Sequence, residues 1–134
     1  MDKKEVLTIH VQVTKAQEVR GTTGEALMLH FCGHCHSDLF QGEIIPGGID
    51  TQKEWYGEQR TLSARYILEG VDFTGEACNI FIENNASLDR SGNIVTTPKV
   101  LTNSNALSFL ERVELMGTIE GVEGGVCIHI FTLN

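Results

Sequence analysis

The sequence predicts an all-β protein, and three observations carry that expectation. Apolar and polar residues alternate with a period of two in segment after segment. Clusters of glycine, proline, serine and asparagine separate those segments. No segment sustains a 3.6-residue apolar period of helical length. In chain order, Leu7, Ile9, Val11 and Val13 alternate with Thr8, His10, Gln12 and Thr14, the pattern of a strand with one buried face. The glycines at 21 and 24 mark a turn. The alternation returns at 61–68, 78–84 and 111–116, and at 125–133 Val126, Ile128 and Ile130 oppose Cys127, His129 and Phe131. Further turns fall at Pro46-Gly47-Gly48 and at 70–75, 87–92 and 121–125, spaced as in an antiparallel sandwich or barrel. One short helix is expected at 103–112, with Ser104 or Asn105 capping Ala106, Leu107, Phe109 and Leu110.

A length of 134 residues predicts one domain, 1–134, large enough to bury a core without disulfide staples. Eighteen acidic against ten basic residues leave a net charge of -8, which repels phosphate backbones and anionic lipid, so neither nucleic acid nor membrane is an expected partner. The first residues pass straight into an alternating segment, and no apolar run approaches signal-peptide or membrane-spanning length. The expectation is a cytoplasmic protein whose four cysteines are thiols rather than a disulfide framework.

The string Cys32-Gly33-His34-Cys35-His36 fits several chemistries. A redox dithiol needs its cysteines on a turn entering a helix, and no helical pattern follows. On a strand, Cys32 and Cys35 would face opposite sides roughly 10 Å apart, beyond the roughly 7 Å that a disulfide tolerates. Haem attachment would need an export route. A metal site is geometrically consistent, because His30, Cys32, His34 and His36 would share one side of a strand, with His10 or His129 completing the set. Against it, Gly33 suggests a bulge that breaks the alternation, and no acidic partner is readable nearby. The alternative places His30, Cys32 and Cys35 inside, with His34 and His36 on a solvated loop. The sequence therefore predicts no cofactor and no resident metal, keeping His34, His36 and Cys32 as the candidate ligands if one binds. Cys78 and Cys127, isolated in apolar strands, are expected in the core.

The segment from Gly42 to Gln52 reads G-E-I-I-P-G-G-I-D-T-Q, and it is followed by Leu62-Ser63-Ala64-Arg65-Tyr66-Ile67-Leu68, Ile80-Phe81-Ile82-Glu83-Asn84, Thr97-Pro98, Leu115-Met116-Gly117-Thr118 and Gly125-Val126-Cys127-Ile128-His129-Ile130-Phe131. In this order, over nearly the whole chain, the blocks resemble domain-of-unknown-function family 3237, a bacterial and fungal group. The chain departs from that pattern at Cys32, where a glycine is usual, and at Cys35, where an aromatic is usual. The resemblance implies a single antiparallel β-barrel of calycin-like form with at most one short helix, and it brings no established reaction with it.

A barrel of this size has room for side chains or one small ligand, and polar groups aimed inward need partners. Asp50, Gln52, Tyr66 and Asn84 are the expected ligand-binding set, and His30 and Asp50 the candidate general bases. Glu43, His10 and Arg112 complete the polar inventory. Arg65 cannot share a face with Tyr66, so it is expected outside, paired with Glu83. Trp55 and Tyr56 are expected to cover a barrel mouth or to pack between subunits. The leading expectation is a protein that binds a small organic molecule in the barrel. The alternatives are a cofactor-free isomerase, cyclase or hydrolase, a metal-binding barrel using His34 and His36, and an interaction module with a solid lumen. An exposed strand edge would favour a homodimer.

Overall fold

Among the described residues the alternating segments form nine antiparallel strands: β1 (Lys3–Arg20), β2 (Gly24–His36), β3 (Phe40–Ile44), β4 (Ile49–Trp55), β5 (Thr61–Asp72), β6 (Ala77–Ser87), β7 (Val95–Thr102), β8 (Leu115–Val122) and β9 (Gly125–Leu133). The computed structural model describes residues 2–88 and 94–133; most of the turn expected over 87–92 lies outside them. The strands pair in the order β1-β9-β8-β7-β6-β5, and β2 pairs with β1 and closes the ring. β3 and β4 lie end to end between β5 and β2, joined at the Pro46-Gly47-Gly48 corner, where Gly47 has a φ of 119° that favours glycine. Nine strands thus fill eight positions, and the expected all-β barrel is the observed fold.

Closure needs long, strongly coiled strands. β1 shifts register between Glu5 and Leu7 and again between Val13 and Lys15, which bends its 18 residues around the wall. Gly33 serves the same end by a different route from the one expected. The alternation runs through it unbroken, with Phe31 and Cys35 buried on either side. A Cβ at this position would lie 2.0 Å from the His10 carbonyl oxygen, so the glycine permits close strand approach and is not a bulge. Beyond the β9 ladder, residues 15–20 of β1 keep one free edge. Lys15, Glu18 and Arg20 lie along it, and such charges discourage edge pairing.

The two ends of the barrel differ. At one, Leu7, Ile9, Phe40, Leu68, Ile80 and Ile130 fill the lumen, each at most 1% exposed. The β7–β8 connection closes this end by inserting Leu107 and Leu110, each burial stabilising by roughly 1.5–3 kcal/mol. The helix expected at 103–112 shrinks to a 3₁₀ turn at Ser108–Glu111. Ser104 does not cap it but braces the turn that leads into it, its Oγ accepting the Leu107 N–H at 3.1 Å and donating to Asp72 Oδ2 at 2.6 Å. Asp72 Oδ1 accepts the Thr74 and Glu76 N–H groups. The Ser104 and Thr74 bonds hold its carboxyl at about 2.

One strand expectation needs correction, and one strand was not expected. The strand placed at 111–116 begins at Leu115 and runs to Val122, because residues 108–111 are spent on the plug. β7 was hidden by Pro98, which discourages strand assignment. The β7–β8 ladder comprises only Val95–Thr118 and Thr96–Gly117, so Pro98 stands where β7 has already lost that neighbour. Among the described residues no helix is long and apolar enough to cross a membrane.

Candidate functional site

The inward rows that fill one end of the lumen leave a cavity of about 170 Å³ at the other. Every position of the ring contributes to it, and its apolar wall includes Val11, Leu29, Phe31, Leu62, Ile119 and Val126. Four polar side chains join them: Asp50 and Gln52 from β4, Asn84 from β6 and Thr96 from β7. Strand register explains how they are spaced. Asp50 pairs with Ala64, and Ala64 with Asn84, so two strand spacings, roughly 10 Å, separate the two polar residues across a single alanine methyl. Thr96 lies opposite Gly117, where a Cβ would stand 2.2 Å from the threonine Oγ1. Small residues thus keep the space around the polar groups open.

The four groups are unequally satisfied. Gln52 Nε2 donates to Asp50 Oδ2 at 2.9 Å, and Arg60 Nε donates to Gln52 Oε1 at 3.2 Å. Arg60 is held in turn by Glu25 at 3.1 Å and Glu54 at 3.6 Å, which orients the chain from the mouth inward. Burial pushes the Asp50 carboxyl above its ordinary pKa, and the Gln52 bond and the Arg60 charge only partly oppose this. Among the described residues Asn84 Oδ1 and Thr96 Oγ1, on side chains 4% and 2% exposed, find no hydrogen-bond partner. Nearly all buried polar groups find partners, so two orphans in one cavity are unusual. The arrangement can accept hydrogen bonds from a ligand at Asn84 and Thr96, and it can give or take a proton at Asp50.

Of the residues expected from the sequence, Asp50, Gln52 and Asn84 meet in this cavity. Tyr66 is fully inside but occupies the next inward position toward the filled end. Its ring meets Phe31 edge-on at 5.5 Å, its hydroxyl has no partner among the described residues, and burial raises its pKa far above the usual phenol range. His30 is a correction: β2 turns Leu29 and Phe31 inward, so the imidazole lies outside, its Nε2 2.8 Å from Gln17 Oε1, and it does not reach the cavity. Cys32, His34 and His36 share that outer face and Cys35 the inner, so the reading with His30 and Cys32 inside fails at both. Among the described residues His34 and His36 gather no third ligand with Cys32; His34 stacks on His10 instead, with ring centroids 4.9 Å apart. Arg65 pairs with Glu83 at 2.8 Å on the outer wall as expected. Trp55, the last residue of β4, and Tyr56, the first of the β4–β5 connection, lie exposed at the cavity end. Arg60 and Thr96 were missed. The inward alternation of Thr96, Pro98 and Val100 carries the signal for Thr96, whereas Arg60 lies in a connection with no periodic cue.

No family model and no curated protein matches the sequence. Solved structures do. A protein with unknown function from Clostridium acetobutylicum is 21% identical, with a TM-score of 0.83 over 99% of both chains. A β-barrel like protein from Acinetobacter baumannii is 15% identical, with a TM-score of 0.76 over 99% of this chain and 96% of that one. An enzyme from Penicillium herquei is 13% identical, with a TM-score of 0.78 over 99% of this chain and 94% of the other. At these identities the likeness is one of fold.

Proposed function

We propose that the barrel binds a small, largely apolar organic molecule carrying at least one hydroxyl or N–H group. The unpartnered Asn84 Oδ1 and Thr96 Oγ1 in an otherwise apolar cavity carry this reading. A ligand hydroxyl would supply the missing donor, and the walls would take up its hydrocarbon part. The volume sets the class of ligand: an apolar cavity of about 150 Å³ accommodates benzene, so about 170 Å³ suits one hydroxylated or amide-bearing ring. Kinship with domain-of-unknown-function family 3237 remains part of the same proposal, as does a cytoplasmic setting, which the free thiols fit.

A second reading has its own support. Asp50 has a raised pKa and is oriented by Gln52 and Arg60 at the edge of an apolar cavity, an environment suited to acid–base chemistry. The barrel fold is also that of an enzyme from Penicillium herquei. On this reading the protein isomerises, cyclises or hydrolyses its ligand without a cofactor, and Asp50 moves the proton.

A thermal-shift panel of monocyclic phenols, cyclic enols, lactams and the matching hydrocarbons tests the binding claim. Hydroxyl- or N–H-bearing rings should raise the melting temperature of the wild type, and Asn84→Leu should abolish the response. Equal responses to the hydrocarbons, or an unchanged response in Asn84→Leu, would remove the proposal. Turnover of a binder that disappears in Asp50→Asn while binding persists would select the enzymatic reading.

A further inference from the structure

A different set of side chains, on the outer wall, has the chemistry of a metal site. The β8–β9 hairpin turns at Glu123 and Gly124, and its register places Glu120 opposite Cys127, with His129 two residues further along the same face. Val126 and Ile128 line the lumen, so Cys127 and His129 point away from it. Cys127 is buried as expected, only 5% exposed, but it lies outside the main core cluster and at the centre of this group. One donor atom from each of Glu120, Cys127 and His129 lies within 4.8 Å of the other two. Among the described residues this is the only such group.

From these positions we infer a zinc site formed by Cys127 Sγ, His129 Nε2 and Glu120 Oε1, with a fourth position open to water. Thiolate, imidazole and carboxylate together suit zinc. Bond lengths of about 2.0–2.3 Å in a tetrahedron put ligand atoms roughly 3.5 Å apart, so the cluster must contract by about 1 Å. Glu120, whose side chain is 65% exposed, is free to supply that movement. The histidine is already oriented. Its Nδ1 stands 2.8 Å from Glu5 Oε2, and its Nε2 faces Glu120 Oε1 at 3.2 Å. A carboxylate on the far ring nitrogen is the partner that metal-binding histidines commonly have. The site spans β8 and β9, whose inner faces carry Ile119, Val126 and Ile128 of the cavity wall.

The test is equilibrium zinc binding to untagged, metal-stripped protein by chelator competition, with cobalt as a spectroscopic probe. One zinc per chain is expected, and cobalt should give a near-ultraviolet thiolate charge-transfer band. That band should vanish in Cys127→Ser. Affinity should fall roughly 10–100-fold in Glu5→Gln through loss of the orienting bond, and further in His129→Gln, while His34→Gln stays at the wild-type value. Circular dichroism of each metal-free variant controls for folding, and the half-buried His129 and exposed Glu5 variants keep the test valid if Cys127→Ser misfolds. No zinc uptake by folded wild-type protein, a cobalt band that survives Cys127→Ser, or binding that depends on His34 and not on His129 would each overturn the assignment.

Discussion

Thr96→Val separates the cost of the empty site from its use. Thr96 is 2% exposed and its Oγ1 has no partner among the described residues. An unsatisfied buried polar group costs about 1–3 kcal/mol, and valine removes it while keeping the β-branched shape that a strand favours. The methyl that replaces the oxygen faces Gly117, which has no side chain to clash with it. The ligand-free variant should therefore be more stable by about 1 kcal/mol. For 134 residues the unfolding entropy is about 0.28 kcal/mol/K, so the melting temperature should rise by about 4 °C. Thr96→Ser keeps the orphan oxygen and loses a methyl, and should fall by about 1 kcal/mol. Urea unfolding at equal m-values measures both. A Thr96→Val protein less stable than wild type by 1 kcal/mol or more would mean that the hydroxyl is bonded in the free protein, and the orphan-group reasoning would fail. A gain in stability with loss of the thermal-shift response would be the familiar trade of function against stability.

Other perturbations follow from the same geometry. Asp50→Asn should stabilise the protein near neutral pH. A carboxyl whose pKa is raised on folding opposes the fold above its unfolded value of about 3.9, so the gain should disappear as the pH falls toward that value in denaturant titrations. Asp72 has the opposite sign. Its carboxyl, held at about 2, contributes stability above about 3.9 that is lost as the pH falls toward 2. Ser104→Ala should cost about 1–3 kcal/mol by leaving Asp72 and the Leu107 N–H short of a partner, and acid unfolding should begin at a higher pH; an unchanged acid midpoint would count against the role given to this bond. Ala64→Leu should fill the gap between Asp50 and Asn84 and abolish the ring response in thermal shift, with the far-ultraviolet circular dichroism of the barrel retained.

Period-two alternation made the barrel wall legible, since it decides which face each residue takes. It put Asp50 with Gln52 and turned Arg65 outward to Glu83, and both hold. The same rule, counted from the inward Phe31, places His30 outside. In the Cys32–His36 string of β2 the donors share a face but, among the described residues, do not converge. The convergent donors come from β8 and β9, and the two-residue turn at Glu123-Gly124 was the signal that fixes Glu120 opposite Cys127. Arg60 was not legible at all, because its place depends on a connection meeting Glu25 from a strand 35 residues earlier. The division of the lumen into a filled and a hollow end was equally hidden. It arises where the β7–β8 connection inserts Leu107 and Leu110, a tertiary event that no local pattern announces.

A methyl-resolved NMR titration of the protein with phenol tests the central claim most directly. Shifts should concentrate on the methyl groups of Val11, Leu62, Ile119 and Val126 around the cavity and saturate together, while Leu7, Leu68 and Ile80 at the filled end stay fixed. Shifts absent from those four residues at saturating phenol, or scattered over exposed methyls such as those of Val19 and Leu101, would contradict a ligand site inside the barrel.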